Sequence, residues 1–323
     1  MGKQKALILG AGGQDGPFLA KHLLNEDFDV SCISSVESIR LNQLNVDTLK
    51  LRIGFDSDLL NLFAQFAPDL VINLASKSSV AFCEENPKVS EEVNYKLVVK
   101  MVTALEKFSE ANSKKVKFIQ ASSSEMYGMS DIPCTEETAM HPVTTYGKHK
   151  LLAHDFLLDH KSRDNSLSCH SVILFNHESE FRSLNFVSAK IARAAAEVAV
   201  NGRTDIEFGN LESSRDWGYA NEYMEGVSKI AVSGKDESYL LASGELHSVR
   251  ELLESAFRVV GYSNFENFIK TSSAYKRKNE TGPIVGDASK VYREFGWRPS
   301  VSYQEMIEIL VSYQISQIGM SRP

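Results

Sequence analysis

Apolar residues fall in two alternating rhythms over the first half of the chain. Short β-rich runs, from Ala6 to Leu9, Val30 to Ile33, Leu49 to Ile53, Leu70 to Asn73, Val116 to Ala121 and Ser168 to Phe175, read as strands. Between them stand amphipathic stretches at helical spacing, near Gln14 to Leu24, Asp58 to Phe66, Pro87 to Ser109 and Tyr146 to His160. Short strands alternating with helices predict a parallel sheet covered on both faces, and right-handed crossovers make it doubly wound. In such a sheet ligands bind beyond the carboxyl ends of the strands, so chemistry is expected in residues that directly follow strands.

After Phe175 the rhythm loosens. Helices are expected near Phe186 to Asn201, Asn221 to Val232, Val249 to Val259 and Tyr303 to Tyr313, with a strand from Tyr239 to Ala242 returning to the main sheet. Two interleaved domains follow: residues 1–175 plus about 213–245, and about 176–212 plus 246–323. A chain of 323 residues is long enough for two cores. With 42 acidic against 35 basic side chains, the net charge of -7 gives no global attraction to nucleic acid or anionic membranes. No apolar run reaches the ~18 residues that span a bilayer. The stretch from Ala6 to Leu9 is too short for a signal peptide, and Ala6 stands where a myristoylation motif wants Ser or Thr. Cys32, Cys83, Cys134 and Cys169 lie far apart and read as reduced, buried thiols. A cytoplasmic protein is expected.

The first predicted strand runs into Gly10-Ala11-Gly12-Gly13-Gln14-Asp15-Gly16, a GxxGxxG spacing on Gly10, Gly13 and Gly16. Glycines there let the backbone approach a pyrophosphate at a helix N-terminus. The second strand ends in Ile33-Ser34-Ser35-Val36 with no acid to hold ribose hydroxyls, which favours NADP, with NAD as the alternative. Arg40 is the nearest cation and reads equally well as a solvated charge. Further on, Ser122-Ser123-Ser124-Glu125-Met126-Tyr127-Gly128 ends the fifth strand, and Tyr146 and Lys150 share one helical face. The Lys150 ammonium would stabilise a phenolate at Tyr146, whose ordinary pKa near 10 is high for a base. Ser123 can hydrogen-bond the same substrate oxygen. His149, His154 and His160 do not line one face, and no metal is expected.

Taken in order, the glycine turn, Asn73-Leu74-Ala75, the Ser123 to Gly128 segment and Tyr146xxxLys150 resemble the extended short-chain dehydrogenase/reductases. Gly13-Gln14-Asp15-Gly16, Leu174-Phe175-Asn176-His177-Glu178-Ser179 and Arg215-Asp216-Trp217-Gly218 resemble, more narrowly, the GDP-mannose 4,6-dehydratases. The resemblance implies a Rossmann-type α/β fold with a smaller, mixed C-terminal substrate-binding domain. It also implies NADP-dependent dehydration of a GDP-hexose by internal hydride transfer from C4 to C6. By it Ser123, Glu125, Tyr146 and Lys150 are catalytic. Gly10, Gly13, Gln14, Asp15, Gly16, Ser35, Asp56, Leu74, Ala75, His177 and Arg182 join Tyr146 and Lys150 on the cofactor side. Ser78, Asn176, Lys190, Arg215, Arg277 and Glu280 would face the GDP-sugar with Ser123 and Glu125. A homodimer or homotetramer is implied.

Against the family pattern, Ser35-Val36 replaces an Arg-Arg pair, Phe55 an adenine-side Asp, Ser76-Lys77 an Ala-Gln pair, and Glu180-Phe181 a Pro-Arg pair. These departures leave room for a dehydratase of another GDP sugar, such as GDP-N-acetylglucosamine or a GDP-heptose. A GDP-sugar reductase or epimerase is the next alternative, and a non-catalytic nucleotide sensor the last.

Overall fold

A computed structural model of the chain describes residues 2–54, 58–161, 167–233, 235–272 and 281–320. The strands are β1 (Lys5–Leu9), β2 (Asp29–Ser34), β3 (Asp47–Lys50), β4 (Leu70–Asn73), β5 (Val116–Ser123), β6 (Leu167–Leu174), β7 (Asn176–Glu178), β8 (Glu207–Phe208), β9 (Ser214–Tyr219), β10 (Tyr239–Leu241), β11 (Leu246–Ser248) and β12 (Lys270–Thr271). The helices are α1 (Asp15–Asn25), α2 (Ile39–Gln43), α3 (Leu59–Phe66), α4 (Val80–Glu85), α5 (Pro87–Glu91), α6 (Leu97–Asn112), α7 (Thr145–Lys161), α8 (Val187–Asn201), α9 (Ala220–Val232), α10 (Val249–Val259), α11 (Ser289–Phe295) and α12 (Tyr303–Met320).

Seven strands form one parallel sheet in the order β10-β6-β5-β4-β1-β2-β3. β1 and β4 are buried almost throughout because helices cover both faces, which explains their unbroken apolar runs. One face packs Ile8, Leu19, Leu23 and Ile72 with Met224 and Val227 of α9; the other packs Leu7, Val71 and Phe118 with Phe63, Met101 and Leu157. The third strand is shorter than its apolar run suggested. β3 runs from Asp47 to Lys50, exposed at the sheet edge, and its pairing with β2 ends as Leu51 N donates at 2.8 Å to the carbonyl of Ser34, the last residue of β2. The return of the chain at Tyr239 occurs as expected, with β10 pairing to β6.

The helix expected from Pro87 to Ser109 is interrupted by a π-helical turn over Glu92–Lys96, which sets Asn94 on the buried side. Such single π turns concentrate at functional sites. A second core gathers Ala194, Phe208, Trp217, Leu253, Phe257 and Leu310 between α8, α10 and α12. The three-stranded sheet β11-β9-β7 lies beside it. α10 begins with a capping box between Ser248 and Glu251. No helix among the described residues is long and apolar enough to cross a membrane.

Candidate active site

The strand order reverses between β1 and β4, and there the sheet opens a cleft of about 1580 Å³. Its floor is the β1–α1 turn. Gly10 has φ +79°, and a Cβ on it would stand 2.5 Å from Ala75 N, so the close approach of Leu74-Ala75 demands glycine. A Cβ on Gly16 would meet Ala11 O at 1.9 Å; this residue packs α1 against the turn and does not line the cleft. Gly13 differs, since its nearest neighbour would be 3.8 Å away. The chain's own packing makes no demand there, and the space at the start of α1 is an open cradle that suits an anionic pyrophosphate.

The next two residues of the turn face inward. Gln14 Nε2 donates to His177 O at 2.9 Å, and Gln14 Oε1 accepts from Ser179 Oγ at 3.0 Å. Asp15 Oδ2 lies 3.2 Å from His177 Nε2, while His177 Nδ1 bonds Phe175 O at 2.7 Å. Burial alone would raise the Asp15 carboxyl, but the charge and hydrogen bond of His177 and the charge of Arg182 hold it below its ordinary value. Burial likewise opposes a charged His177, and Asp15 outweighs it, so the imidazole titrates higher than usual. The His177 ring stacks on Tyr223 at 5.1 Å, and only glycine at 218 leaves room for that phenol. Gly-Gln-Asp-Gly and Asn-His-Glu-Ser are therefore two halves of one internal contact. Gln14, Asp15 and His177 line the cleft but turn their side chains largely on each other. Arg182, also at the cleft, pairs with Glu178 at 3.1 Å and lies 3.8 Å over the Phe186 ring.

Ser123, Glu125, Tyr146 and Lys150 all line the same cleft, and all are buried. β5 delivers Ser123 at its last position, where its Oγ accepts from Glu125 N at 3.2 Å. Glu125 Oε2 accepts from Thr144 Oγ1 at 3.1 Å, and Thr144 Oγ1 also accepts from Gly147 N at 3.0 Å. Thr144 thereby ties the carboxylate to the start of α7. Burial pushes the Tyr146 phenol up to about 12, against hydrogen bonds with Ser76 and Ser123 that pull it down. Burial also lowers Lys150 to about 8. Its Nζ donates to Ala121 O at 2.8 Å and stands 5.8 Å from the Tyr146 ring. Desolvation is the largest influence on the phenol.

Toward the C-terminal domain the cleft is lined by Ser78, Asn176 of β7, Lys190 of α8 and Arg215 of β9. The Arg215 Nη1 donates to Ser214 O at 2.7 Å. Asp216 accepts from Ser243 N and Oγ, Gly244 N and Gly286 N, and so pins two loops to β9. At the opposite end stand Ser35, Arg40 and Arg52. Arg40 is not the solvated charge that its position after β2 allowed. Its guanidinium lies 3.4 Å over the Phe181 ring and donates to Tyr313 Oη at 3.3 Å. Asp56, Arg277 and Glu280 lie outside the described residues. Sequence reasoning missed Arg52, Thr144 and Asn94 as parts of the site. Asn94 alone left a signal, as a polar residue on the apolar face of a helix. No group of His, Cys, Asp or Glu able to hold a metal occurs among the described residues.

A doubly wound sheet with a glycine turn at its switch point, and a Ser, Tyr and Lys gathered above it, defines a short-chain dehydrogenase/reductase of the extended type. Its fold is shared by the UDP-glucose 4-epimerase of Thermotoga maritima solved with UDP-glucose, at a TM-score of 0.84 and 21% identity over 98% of this chain and 100% of that one. It is shared too by RMD of Pseudomonas aeruginosa complexed with NADPH, at 0.77 and 21% over 98% and 100%. The profile of the family described as GDP-mannose 4,6 dehydratase matches residues 7–310. GDP-mannose 4,6 dehydratase 1 of Arabidopsis thaliana is 33% identical over 320 residues, 95% of this chain and 88% of that protein. The chain belongs to the GDP-mannose 4,6-dehydratase family.

Proposed function

We propose that the protein dehydrates a GDP-linked hexose, GDP-mannose first, to the GDP-4-keto-6-deoxyhexose, with a nicotinamide dinucleotide over the Gly10 to Gly13 turn. The observation that carries this is the single cleft, which runs from that turn past Ser123, Glu125 and Tyr146 to Lys190 and Arg215. When bound, the dinucleotide accepts hydride from C4 of the sugar and returns it at C6. Tyr146 takes the proton of the 4-hydroxyl, and Ser123 hydrogen-bonds the same oxygen. The ketone at C4 acidifies the C5 proton. Glu125, its carboxylate oriented by Thr144, takes that proton and gives it to the departing 6-hydroxyl, which leaves as water. Reprotonation at C5 closes the count, matching the proton held by Tyr146. Lys190 and Arg215 meet the diphosphate.

We assign the cofactor as NADP. Two guanidiniums, Arg40 and Arg52, line the adenosine end, and no carboxylate does so among the described residues. The Ser34 hydroxyl, which an NAD ribose could otherwise use, is engaged by Val36 N at 3.1 Å and Val36 O at 2.5 Å. In this assignment residues 1–175 and about 213–245 hold the cofactor, save that β9 pairs with β7 and β11 and so goes with the remainder, which holds the nucleotide sugar. One observation favours a second reading of the hexose. Lys77 lines the cleft between Ser76 and Ser78, where the family favours Gln, and this change in the lining leaves a sister GDP sugar such as GDP-N-acetylglucosamine or a GDP-heptose as the second reading.

Incubation with a panel of GDP sugars and catalytic NADP, read by mass spectrometry, tests these assignments. A product one water lighter, without net cofactor consumption, supports dehydration; stoichiometric use of NADPH supports a reductase and sinks it. We further assign a homodimer through α6 and α7, where Leu152 and Leu158 stand exposed, and a cytoplasmic setting in keeping with four free, buried thiols. A monomer by light scattering at micromolar concentration would exclude the dimer.

A further inference from the structure

α7 opens at Thr145, and the first turn of a helix leaves N–H groups that its own carbonyls cannot reach. Thr144 Oγ1 accepts from Gly147 N at 3.0 Å and donates to Glu125 Oε2 at 3.1 Å. The N–H of Thr145 turns to another element. Glu84 of α4 accepts it on Oε1 at 2.7 Å, and accepts from Thr145 Oγ1 on Oε2 at 3.0 Å. Two consecutive threonines thus each hold a carboxylate, directly before Tyr146. The same α4 packs on Tyr146 itself, since Val80 and Cys83 gather with it in one small buried cluster. α4 continues the cleft wall of Ser76, Lys77 and Ser78, and that wall is fixed from behind. Asn94, 1% exposed, accepts from Lys77 N on Oδ1 at 3.0 Å and donates from Nδ2 to Lys77 O at 3.1 Å, while Ser76 Oγ donates to Oδ1 at 2.9 Å. Ser79 Oγ then caps α4 by accepting from Phe82 N at 3.3 Å.

We propose that Glu84 is a positioning residue for Tyr146: its carboxylate fastens the first residue of α7 to α4 and so sets the distance between Tyr146 and the wall of Ser76 to Ser78. The inference rests on the reading of Tyr146 as the base that meets the sugar. A base works only within hydrogen-bond reach of the proton it takes, and a displacement of about 1 Å can cost about 10²-fold in rate. The apolar contacts of Val80 and Cys83 with Tyr146 have no direction and cannot fix such a distance, whereas hydrogen bonds, with preferred lengths and angles, can. Thr144 supplies one on the side of Glu125, and Glu84 supplies two on the side of α4. Both bonds to Glu84 are charge-assisted, and its charge lies at the positive end of the α7 dipole. Glu84 is exposed, and an exposed pair adds little to stability, so its effect falls on geometry.

Glu84→Ala is expected to lower kcat about tenfold, with the KM for the GDP sugar within about twofold and the melting temperature within about 2 °C. Glu84→Gln recovers most of that loss. Its carbonyl accepts from Thr145 N and its amide donates to Thr145 Oγ1, whose hydroxyl is free to turn, so the geometry survives without the charge. Thr145→Val removes one of the two bonds and should lower kcat about threefold; combined with Glu84→Ala it should fall no further than Glu84→Ala alone. A second readout needs no reaction: with 13Cζ-labelled tyrosine, and Tyr146→Phe to assign the signal, the Tyr146 resonance shifts in Glu84→Ala and returns in Glu84→Gln. An unchanged kcat or an unmoved resonance in Glu84→Ala, or a Glu84→Gln no better than Glu84→Ala, overturns the proposal. Absence of dehydration by the wild type would count against the proposed function, while the resonance would still report on the placement of Tyr146.

Discussion

The two ends of the cleft are held in opposite ways. Under β5 and α7 the candidate catalytic side chains are buried, and Ser123, Glu125 and Lys150 are each fastened: Ser123 to Glu125 N, Glu125 to Thr144, Lys150 to Ala121 O. Over β2 and α2, Ser35 and Arg52 are exposed, and Arg40 rests on Phe181 and on Tyr313 of α12. A buried polar group left without its partner costs about 1–3 kcal/mol, so the catalytic end tolerates few substitutions. Exposed cations recognise a phosphate from many backbone positions, and that end is free to change. The departures at Ser35-Val36 and Glu180-Phe181 fall there, where Arg40 and Arg52 supply charge from separate elements. Ser76-Lys77 is the departure at the fastened end, and Ser76 arrives there with its own anchor.

The sharpest way to break this contrast is at the catalytic end. Tyr146→Phe removes the base and is expected to lower the dehydration rate by about 10³-fold, with cofactor affinity unchanged by fluorescence titration. Full activity would mean that another group takes the proton. Glu125→Gln keeps the bond from Thr144 but not the base. Loss of water should slow by roughly 10²-fold or more, while reduction of the bound nicotinamide by the substrate persists when followed by its absorbance. Loss of that reduction as well would place Glu125 in the first step instead.

Between the two ends lies the Asp15–His177 pair, and its effect is one of stability. The raised His177 contributes stability that is complete below about pH 6.5 and fades as pH rises through its folded value. The lowered Asp15 contributes above about pH 4 and fails only as pH drops through its own folded value. His177→Asn should therefore cost about 2 kcal/mol, with the gap in melting temperature widest between about pH 4 and 6.5 and narrower toward pH 9. A gap independent of pH would show that the ring matters only through its stack on Tyr223. The smallest effect is expected at the variable end. Arg40→Gln should weaken NADPH binding about tenfold by calorimetry and leave NADH unchanged. Equal weakening of both would make Arg40 a clasp between the domains.

Much of this was legible along the chain. The strands of the sheet, their parallel order and the return at Tyr239 follow from apolar runs that need cover on both faces. The glycine turn, Ser123, Glu125, Tyr146 and Lys150 were visible because each follows a strand or opens a helix at a spacing that the chemistry requires. The extent of β3 was misread because Leu49 to Ile53 looks like any other apolar run, whereas the strand is set by its register with β2, which pairs Asp47 to Lys50 with Ser31 to Ser34 and ends there. The π turn was invisible too, since its apolar spacing matches an ordinary helix and its cause is a contact with Lys77 from another element.

By itself, then, the order of residues determined the architecture and which side chains gather in the cleft, because periodicity and motif spacing are local properties. Only the tertiary structure decided how those groups are tuned. It made Gln14 and Asp15 a lock on His177, turned Arg40 onto Phe181, and fastened Ser76 and Lys77 on Asn94. Burial and partnership come from residues that are distant in the chain, and they govern both the energy of a charge and the direction in which a proton can move.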